Sequence, residues 1–360
     1  MSGTEAETGG LCVLSFDNGG PGTYSQLLIL KEYMDRLASD LRVSEDDVYP
    51  ADYFDLIGGV GFGGYVSHRY FGVISFHSSL AAFVFGHLRM NMNQAIDTLL
   101  AVTALLSFDN SDDDTIREDN STTLKEFLER MLHARGITPD AKMNDINFTS
   151  KRTNVALYAA TLTNITHPHI FRTYPSRGNN PNPTITEALC ATMAIQSYFL
   201  PVKIGPRRAQ GSFIGGAFGA NNPTRLLLDE AIKVFGENRR VAQIISLGCG
   251  LPQVLSVNPS DTGDINRLLK EITMDCEGVA NDLSTRLINI DAYLRLNVNR
   301  GMESFGMKKW DDLGAVTTHT ATYLATAVVS MSVDSSLRRL RGKVGSVTLG
   351  RLSRCIPVCI

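Results

Sequence analysis

The sequence lacks any excess of positive charge. It has 34 lysine and arginine residues against 37 aspartate and glutamate residues, a net charge of −3. A nucleic-acid-binding surface needs a basic stripe or patch, so we expect no nucleic-acid partner. The short basic cluster near the C-terminus is interpreted as a solvated helix face, with contact to anionic lipid as the alternative. It comprises Arg338, Arg339, Arg341 and Lys343.

Long apolar runs and a secretory signal are also lacking. Residues 1–10 are small and acidic, without a basic start or an apolar stretch, and are expected to form a disordered leader. The most apolar segment, residues 72–88, is short for a bilayer span and carries several serines and histidines. It is predicted to be a buried helix or a flap over an apolar cavity. We therefore expect no transmembrane segment and a cytoplasmic protein.

Metal-ligand and cofactor motifs are absent. Six cysteines are scattered, at positions 12, 190, 249, 276, 355 and 359, which favours reduced thiols. His167 and His169 flank Pro168, are expected on a turn, and have no third ligand nearby. The glycine-rich residues 19–22 are not followed by the Lys-Ser/Thr of a phosphate-binding loop. The sequence predicts neither a metal nor a cofactor.

What is present is a regular alternation of short apolar runs and helical patterns. Strands are predicted at 11–16, 53–57, 154–161, 169–174, 211–214 and 240–247, and helices at 27–41 and from 186 to 193. Residues 262–342 are predicted to be mostly helical. This order is typical of an α/β fold with a mostly parallel sheet. We expect one domain over residues 11–345 and a C-terminal tail from 346 to 360.

Residues 54–64, FDLIGGVGFGG, have the layout of a nucleophile elbow. In such an elbow a strand leads into a Gly-x-Ser-x-Gly turn that raises a serine hydroxyl above the sheet. The serine position is Gly61, which has no side chain. The motif therefore indicates a hydrolase fold without its nucleophile.

Four segments in order resemble the patatin-like phospholipases, in particular the type common in filamentous fungi. They are residues 14–20 (LSFDNGG), 52–57 with the elbow, 171–177 (FRTYPSR) and 215–223 (GGAFGANNP). The resemblance covers about residues 11–324. It implies a three-layer α/β/α fold with a mostly parallel central sheet and a helical C-terminal third.

The family's chemistry is acyl-ester hydrolysis by a Ser–Asp dyad beside a glycine-rich oxyanion loop. By the resemblance, the serine falls on Gly61 and the aspartate on Gly215, and the loop carries Asn18 and Gly22 in place of a glycine and an arginine. With three functional positions altered, we expect a divergent member without lipase or esterase activity.

The two glycines in place of polar side chains predict a larger, less polar pocket. Its expected lining comprises Asn18, Gly19, Gly20, Gly61, Phe62, Tyr65, Gly215 and Gly216. One hypothesis is that it binds a hydrophobic acyl, polyketide or terpenoid compound and promotes a cyclisation or isomerisation in specialised metabolism, with Asp17 and His68 as catalytic candidates. The alternative is a non-catalytic lipid-binding, regulatory or scaffold protein. Both hypotheses are compatible with a homo-oligomer.

Overall fold

The computed structural model describes residues 9–61, 77–108, 113–145, 153–178, 180–251, 275–303 and 312–354. The chain folds around one mixed sheet, in the order β5-β6-β3-β2-β1-β7-β8, with β4 paired to β3 and β9 paired to β7. The strands are β1 Leu11–Phe16, β2 Leu56–Val60, β3 Asn154–Thr161, β4 Asn164–Arg172, β5 Val202–Ile204, β6 Gly211–Gly215, β7 Arg240–Leu247, β8 Tyr293–Leu296 and β9 Val347–Thr348.

Five consecutive strands form the parallel part of the sheet, and the other pairings are antiparallel. Strands β3, β2, β1, β7 and β8 run in one direction, with Val13 opposite Leu56 and Leu14 opposite Ile245. Strands β4, β6 and β9 pair antiparallel to their neighbours. This confirms the mostly parallel sheet predicted from the alternating pattern. It also brings the ends of β1, β2, β7 and β8 to one edge of the sheet.

Helices cover both faces of the sheet. They are α1 Gly22–Leu41, α2 His77–Gly86, α3 Met92–Ala104, α4 Asp114–His133, α5 Ile185–Met193, α6 Ala217–Ala220, α7 Thr224–Phe235, α8 Glu277–Arg286, α9 Leu313–Leu324, α10 Ala327–Gly342 and α11 Leu349–Arg354. Short 3₁₀ helices lie at Glu45–Asp47 and Pro50–Asp52.

The alternation of side chains along β1 divides the core in two. Leu14 and Phe16 face the layer that contains α1 to α5, α9 and α10, whereas Leu11 and Val13 face the layer of α7, α8 and α11. Because successive strand residues point to opposite faces, a strand buried on both sides is apolar throughout. The three-layer α/β/α architecture is confirmed.

Strand β2 does not occupy residues 53–57, where we placed it. The Pro50–Asp52 turn precedes it, and the strand runs through the glycines that we assigned to the elbow. Gly58 and Gly59 are paired with Ser15 and Phe16 of β1. A Cβ on Gly58 would lie 2.7 Å from Leu227 Cδ1, and one on Gly59 would lie 2.2 Å from the Ser78 carbonyl oxygen. These glycines serve close packing of helices on both faces.

Two further predictions need correction. Helix α1 begins at Gly22 rather than at residue 27, so the glycine-rich loop is shorter than expected. His167, Pro168 and His169 lie within β4 rather than on a turn. Among the described residues the C-terminal third is mostly helical, as predicted, and it also contains the short strand β8. The segment from 72 to 88 holds the buried helix α2, although residues 72–76 lie outside the described residues.

At the chain ends, residues 1–8 of the expected leader lie outside the described residues. Gly10 donates its backbone N–H to the Lys343 carbonyl oxygen. The segment expected as a tail from residue 346 begins with β9 and α11, whose Leu349 and Leu352 side chains are buried. Regular structure therefore continues past the boundary that we placed at residue 345.

Candidate functional site

Strand β1 lies between β2 and β7, at the point where the order of the parallel strands changes direction. Segments that leave the carboxyl ends of neighbouring strands on opposite sides of such a point form a crevice, where α/β proteins commonly bind ligands. Asp17 follows β1, Gly61 follows β2 and Gly248 follows β7. Asp17 and Gly61 are two of the predicted site residues, and this edge contains both.

The positions assigned to the missing serine and aspartate come together. The Gly216 N–H donates to the Gly61 carbonyl oxygen at 2.9 Å. Its neighbour Gly215 donates to the carbonyl oxygen of Ala194, just after α5, at 3.1 Å. The ends of β2 and β6 are thus joined by main-chain hydrogen bonds, without any side chain. The structure brings Gly61, Gly215 and Gly216 to one place.

No side chain fits on Gly61. A Cβ built there would lie 1.9 Å from the Thr192 carbonyl oxygen and 3.2 Å from Ser79 Oγ. Non-bonded heavy atoms in packed cores are about 3.5–4.0 Å apart, so the end of α5 occupies the space that a serine would need. Thr192 is itself fixed, since its Oγ1 hydrogen bonds to Ser79 Oγ at 3.0 Å and to the Leu189 carbonyl oxygen at 2.9 Å.

Gly216 is enclosed in the same manner. Its Cβ would meet the carbonyl carbon and oxygen of Tyr158, both at 2.8 Å. Main chain therefore packs directly against main chain on both sides of the Gly61–Gly216 hydrogen bond. The tightness follows from glycine, the only residue without a Cβ.

The glycine-rich loop is held by polar contacts. The Asn18 N–H donates to the Asn221 carbonyl oxygen at 2.8 Å, and Asn18 Nδ2 donates to Asn221 Oδ1 at 3.2 Å. Thr23 Oγ1 donates to the Gly19 carbonyl oxygen at 2.8 Å, and the Gly20 carbonyl oxygen accepts from the Thr23 N–H at 2.9 Å. Because Asn221 already accepts the Asn18 N–H, that donor is committed to the fold and does not point at a reacting oxyanion.

Cys249 lies directly against this loop. Its Sγ lies 2.8 Å from the Asn18 carbonyl oxygen, as a thiol donor. A Cβ on Gly19 would lie 2.2 Å from Cys249 Cβ, and one on Gly22 would lie 2.0 Å from the Cys249 carbonyl oxygen. The absence of side chains at Gly19 and Gly22 is therefore explained by the approach of the chain that follows β7.

Gln26 ties the end of β1 to its neighbour. Its Nε2 donates to the Asp17 carbonyl oxygen at 3.0 Å and to the Leu247 carbonyl oxygen at 2.9 Å. Its Oε1 accepts from Ser78 Oγ at 3.0 Å, which connects α1 to α2. All of these groups are buried, where each polar atom needs a partner. Sequence reasoning missed Gln26, because a buried glutamine has no pattern that distinguishes it from a surface one.

Asp17, a predicted catalytic residue, is completely buried and faces Arg295. Arg295 Nη2 lies 2.7 Å from Asp17 Oδ2, and the same guanidinium pairs with Glu277 and donates to Ser246 Oγ at 2.9 Å. Burial raises the pKa of Asp17 to about 7, against the opposing charge of Arg295. The carboxyl group thus braces the loop against β8. Arg295 was missed, because it lies on a strand that the sequence did not reveal.

The remaining predicted residues, Phe62, Tyr65 and His68, lie outside the described residues. Within the described ranges, no group of three histidine, cysteine, aspartate or glutamate side chains is arranged to hold a metal ion. In the same part of the chain, no helix is both long and apolar enough to cross a membrane.

The amino-acid sequence of this region matches a known protein family. A model of the patatin-like phospholipase family matches residues 14–228, more than half of the 360 residues. The chain belongs to the patatin-like phospholipase family. The match runs from within β1 to within α7 and includes Asp17, Gly61 and Gly215. No protein with a curated description matches this patatin-like protein.

Proposed function

We propose that this patatin-like protein has no acyl-hydrolase activity and that it binds an apolar molecule of the acyl type without forming a covalent intermediate. The observation that carries the proposal is the position of the Thr192 carbonyl oxygen, 1.9 Å from where a Gly61 Cβ would be. The residue assigned to the nucleophile has no reactive atom, and the space for one is filled by main chain.

The rest of the hydrolytic machinery supports the same conclusion. Covalent acyl transfer needs a nucleophile activated by a base, together with donors aimed at the developing oxyanion. The position of the base is Gly215, which offers only main-chain atoms. The Asn18 N–H in the glycine-rich loop is already bound to Asn221. Without nucleophile and base, a patatin-like fold retains only its capacity to bind.

Binding of an apolar molecule is supported by the family, whose members act on lipids, and by the retained architecture. The site lies at the carboxyl ends of the parallel strands β1 and β2, and the neighbouring helix α2 is apolar and buried over Leu80–Phe85. A fatty-acyl, polyketide or terpenoid compound fits this chemistry, because burial of apolar surface drives its association. A cytoplasmic location and a homo-oligomer stay predictions.

Loss of hydrolysis is tested with p-nitrophenyl octanoate and a fluorophosphonate probe that labels activated serines. We expect no turnover above buffer and no labelling of the wild-type chain. We also expect none from Gly61→Ser/Gly215→Asp, because the serine cannot be accommodated. Turnover by purified wild-type protein that persists through a second chromatographic step, with labelling of the chain, would overturn the proposal.

Binding is tested by native mass spectrometry of the purified protein and by titration with cis-parinaric acid, whose fluorescence rises in an apolar site. We expect a saturable signal with one site. The control is Val328→Ser/Met331→Ser, which removes two exposed apolar side chains of α10, 77 % and 71 % exposed. An unchanged titration in this variant places the probe elsewhere than on the α10 surface. A signal that does not saturate contradicts a specific site.

A second candidate is the non-hydrolytic cyclisation or isomerisation that the sequence suggested, and the raised pKa of Asp17 favours it. A carboxyl group with a pKa of about 7 can donate or accept a proton near neutral pH. The test is incubation with a linear terpenoid or polyketide precursor. Product formation that Asp17→Asn abolishes while the fold is retained would support this candidate. Equal product from the variant would leave Asp17 as a structural brace.

A further inference from the structure

Two cysteines from distant parts of the sequence meet behind the glycine-rich loop. Cys249 follows β7, and Cys276 is the N-cap residue of α8. Neither forms a disulfide, and both are partly exposed. Cys249 Sγ lies 2.8 Å from the Asn18 carbonyl oxygen, and Cys276 Sγ lies 3.5 Å from the Asn221 carbonyl oxygen.

Asn18 and Asn221 hold the two thiols close together. Their main chains are linked by the 2.8 Å hydrogen bond from the Asn18 N–H to the Asn221 carbonyl oxygen, and their side-chain amides by a second one of 3.2 Å. Each sulfur atom therefore contacts the carbonyl oxygen of one of two asparagines, Asn18 and Asn221, that are hydrogen bonded to each other. The interaction with Cys249 also contributes to the raised pKa of the Cys276 thiol.

We propose that Cys249 and Cys276 are a modification site, a dithiol that closes to a reversible disulfide by exchange with a low-molecular-weight disulfide of the glutathione type. In the sequence, 26 residues lie between these two cysteines. Only the fold brings them together. The site is independent of acyl hydrolysis and of ligand binding, and its test does not depend on either.

The reaction balances as two exchange steps. The Cys249 thiolate attacks the small disulfide, forms a mixed disulfide and releases one small thiolate. Cys276 then gives its proton to that leaving thiolate and attacks the Cys249 sulfur, which releases a second small thiolate. This thiolate takes up the proton that Cys249 lost to solvent. One small disulfide is reduced to two thiols, and the protein dithiol is oxidised to a disulfide.

The surroundings assign the order of attack. The hydrogen bond with Cys249, burial, and the negative charge of Asp17 raise the pKa of the Cys276 thiol well above its ordinary value. A thiol that holds its proton is a poor first nucleophile. Cys249 is therefore the residue that attacks the small disulfide first. Cys276 is the resolving residue, which then attacks the Cys249 sulfur.

Oxidation changes the glycine-rich loop, because a disulfide sulfur has no proton to donate. The Asn18 carbonyl oxygen, a buried group, would lose the thiol donor now 2.8 Å away. A buried acceptor without a hydrogen-bond partner destabilises the folded state. The dithiol thus links the redox state of the protein to the segment that carries Asn18 and Gly19.

The experiment treats the full-length reduced protein with oxidised glutathione, blocks remaining thiols by alkylation, and maps tryptic peptides without reduction. Cys249 and Cys276 fall in separate peptides, 241–267 and 271–286, each with a single cysteine. We expect these two peptides linked, a loss of two of the six thiols on titration, and full reversal by dithiothreitol. Cys190 on α5, where burial raises the pKa of the thiol to about 12, serves as the unreactive control.

A second arm uses Cys276→Ser, which should trap Cys249 as the glutathione mixed disulfide. The proposal is overturned if the two wild-type peptides are recovered unlinked, whether alkylated or each carrying glutathione. It is also overturned if either is linked mainly to Cys355 or Cys359. The wild-type map decides the question even where the variant does not fold.

Discussion

The Gly216 N–H donates to the Gly61 carbonyl oxygen at 2.9 Å, which joins the two glycine-rich turns at the sheet edge through main-chain atoms alone. In a hydrolytic member of the family, side chains would lie at this place. Here the Thr192 carbonyl oxygen and the Tyr158 main chain take their room. The contact has consequences for stability that can be measured.

Gly61→Ser is expected to destabilise the protein without creating an esterase. The new Cβ would be 1.9 Å from the Thr192 carbonyl oxygen, so the end of α5 has to move. Overpacking of this kind costs about 2–3 kcal/mol. Urea denaturation measures the loss. Gly314→Ala is the matched control, since a Cβ at Gly314 meets nothing within 4 Å, and it should gain about 0.5 kcal/mol. Equal stability of Gly61→Ser and wild type would contradict the packing described.

Asp17 is expected to make stability fall as the pH rises from about 4 to about 7. Its pKa is 3.8 in a solvated carboxyl and about 7 in the fold, so over that range the folded state binds more protons than the unfolded state. Urea midpoints between pH 4.5 and 7.5 should show this slope in wild type and a flatter one in Asp17→Asn.

Asp291→Asn serves as the control for this pH profile. Asp291 pairs with Arg339 but its side chain is 83 % exposed, so the slope should stay that of wild type. A slope in Asp17→Asn equal to that of wild type would show that Asp17 does not titrate in this range.

Glu230→Gln is expected to cost about 3 kcal/mol at pH 7, because it removes the charge of a buried carboxylate held by Arg172 and Lys233 at 2.6 and 2.8 Å. Burial alone would raise the pKa of Glu230, but hydrogen bonds from these two cations lower it to about 2. The stabilisation is therefore complete above pH 4.5 and is lost as the pH falls through about 2.

The measurement is the difference in unfolding free energy between wild type and Glu230→Gln, which should shrink from pH 7 to pH 3. Glu129→Gln is the control, since its partner Lys125 is 3.9 Å away and 63 % exposed. Surface pairs of this type contribute less than about 1 kcal/mol. A difference that stays constant with pH would argue against the ion pairs of Glu230.

Thr184→Ala is expected to cost about 1 kcal/mol by removing the N-terminal cap of α5. Thr184 Oγ1 accepts from the Glu187 N–H at 3.1 Å, and Glu187 Oε2 accepts from the Thr184 N–H at 2.8 Å. Since α5 carries Thr192, hydrogen exchange of the Gly216 N–H should also become faster. Thr163→Ala, in an exposed turn, should change neither. Unchanged hydrogen exchange at Gly216 would show that the cap of α5 does not stabilise the packing at the site.

Strands β1, β3 and β7 could be predicted because they are buried along almost their whole length and their sequences are correspondingly apolar. Strand β1 is apolar at nearly every position, and β3 and β7 share this character, so the predicted bounds agree with the structure. Strand β8 could not be found in this way. It has only four residues and includes Arg295, whose charge is neutralised by Asp17 from the other end of the chain.

The sequence shows which residues stand at the glycine positions of the candidate site but not what surrounds them. Glycine at 61 and 215 was visible in the sequence, and the fold brings both to one edge. What surrounds a glycine is not encoded beside it, so the sequence suggested an enlarged pocket next to Gly61, whereas the Thr192 carbonyl oxygen lies there. That contact depends on where α5 ends, 131 residues further along the chain. Pairs such as Cys249 and Cys276 depend on tertiary structure in the same manner.

Pro168 in β4 has a consequence for association between molecules. Among the described strands β4 pairs only with β3. Leu162, in the turn before β4, and Ile165, within it, are 41 % and 39 % exposed. An open strand edge invites pairing with a second chain. A proline has no N–H to donate, and within sheets it is confined to such edges. It interrupts the row of backbone donors near the middle of β4, so that this strand is a poor template for pairing with a second chain.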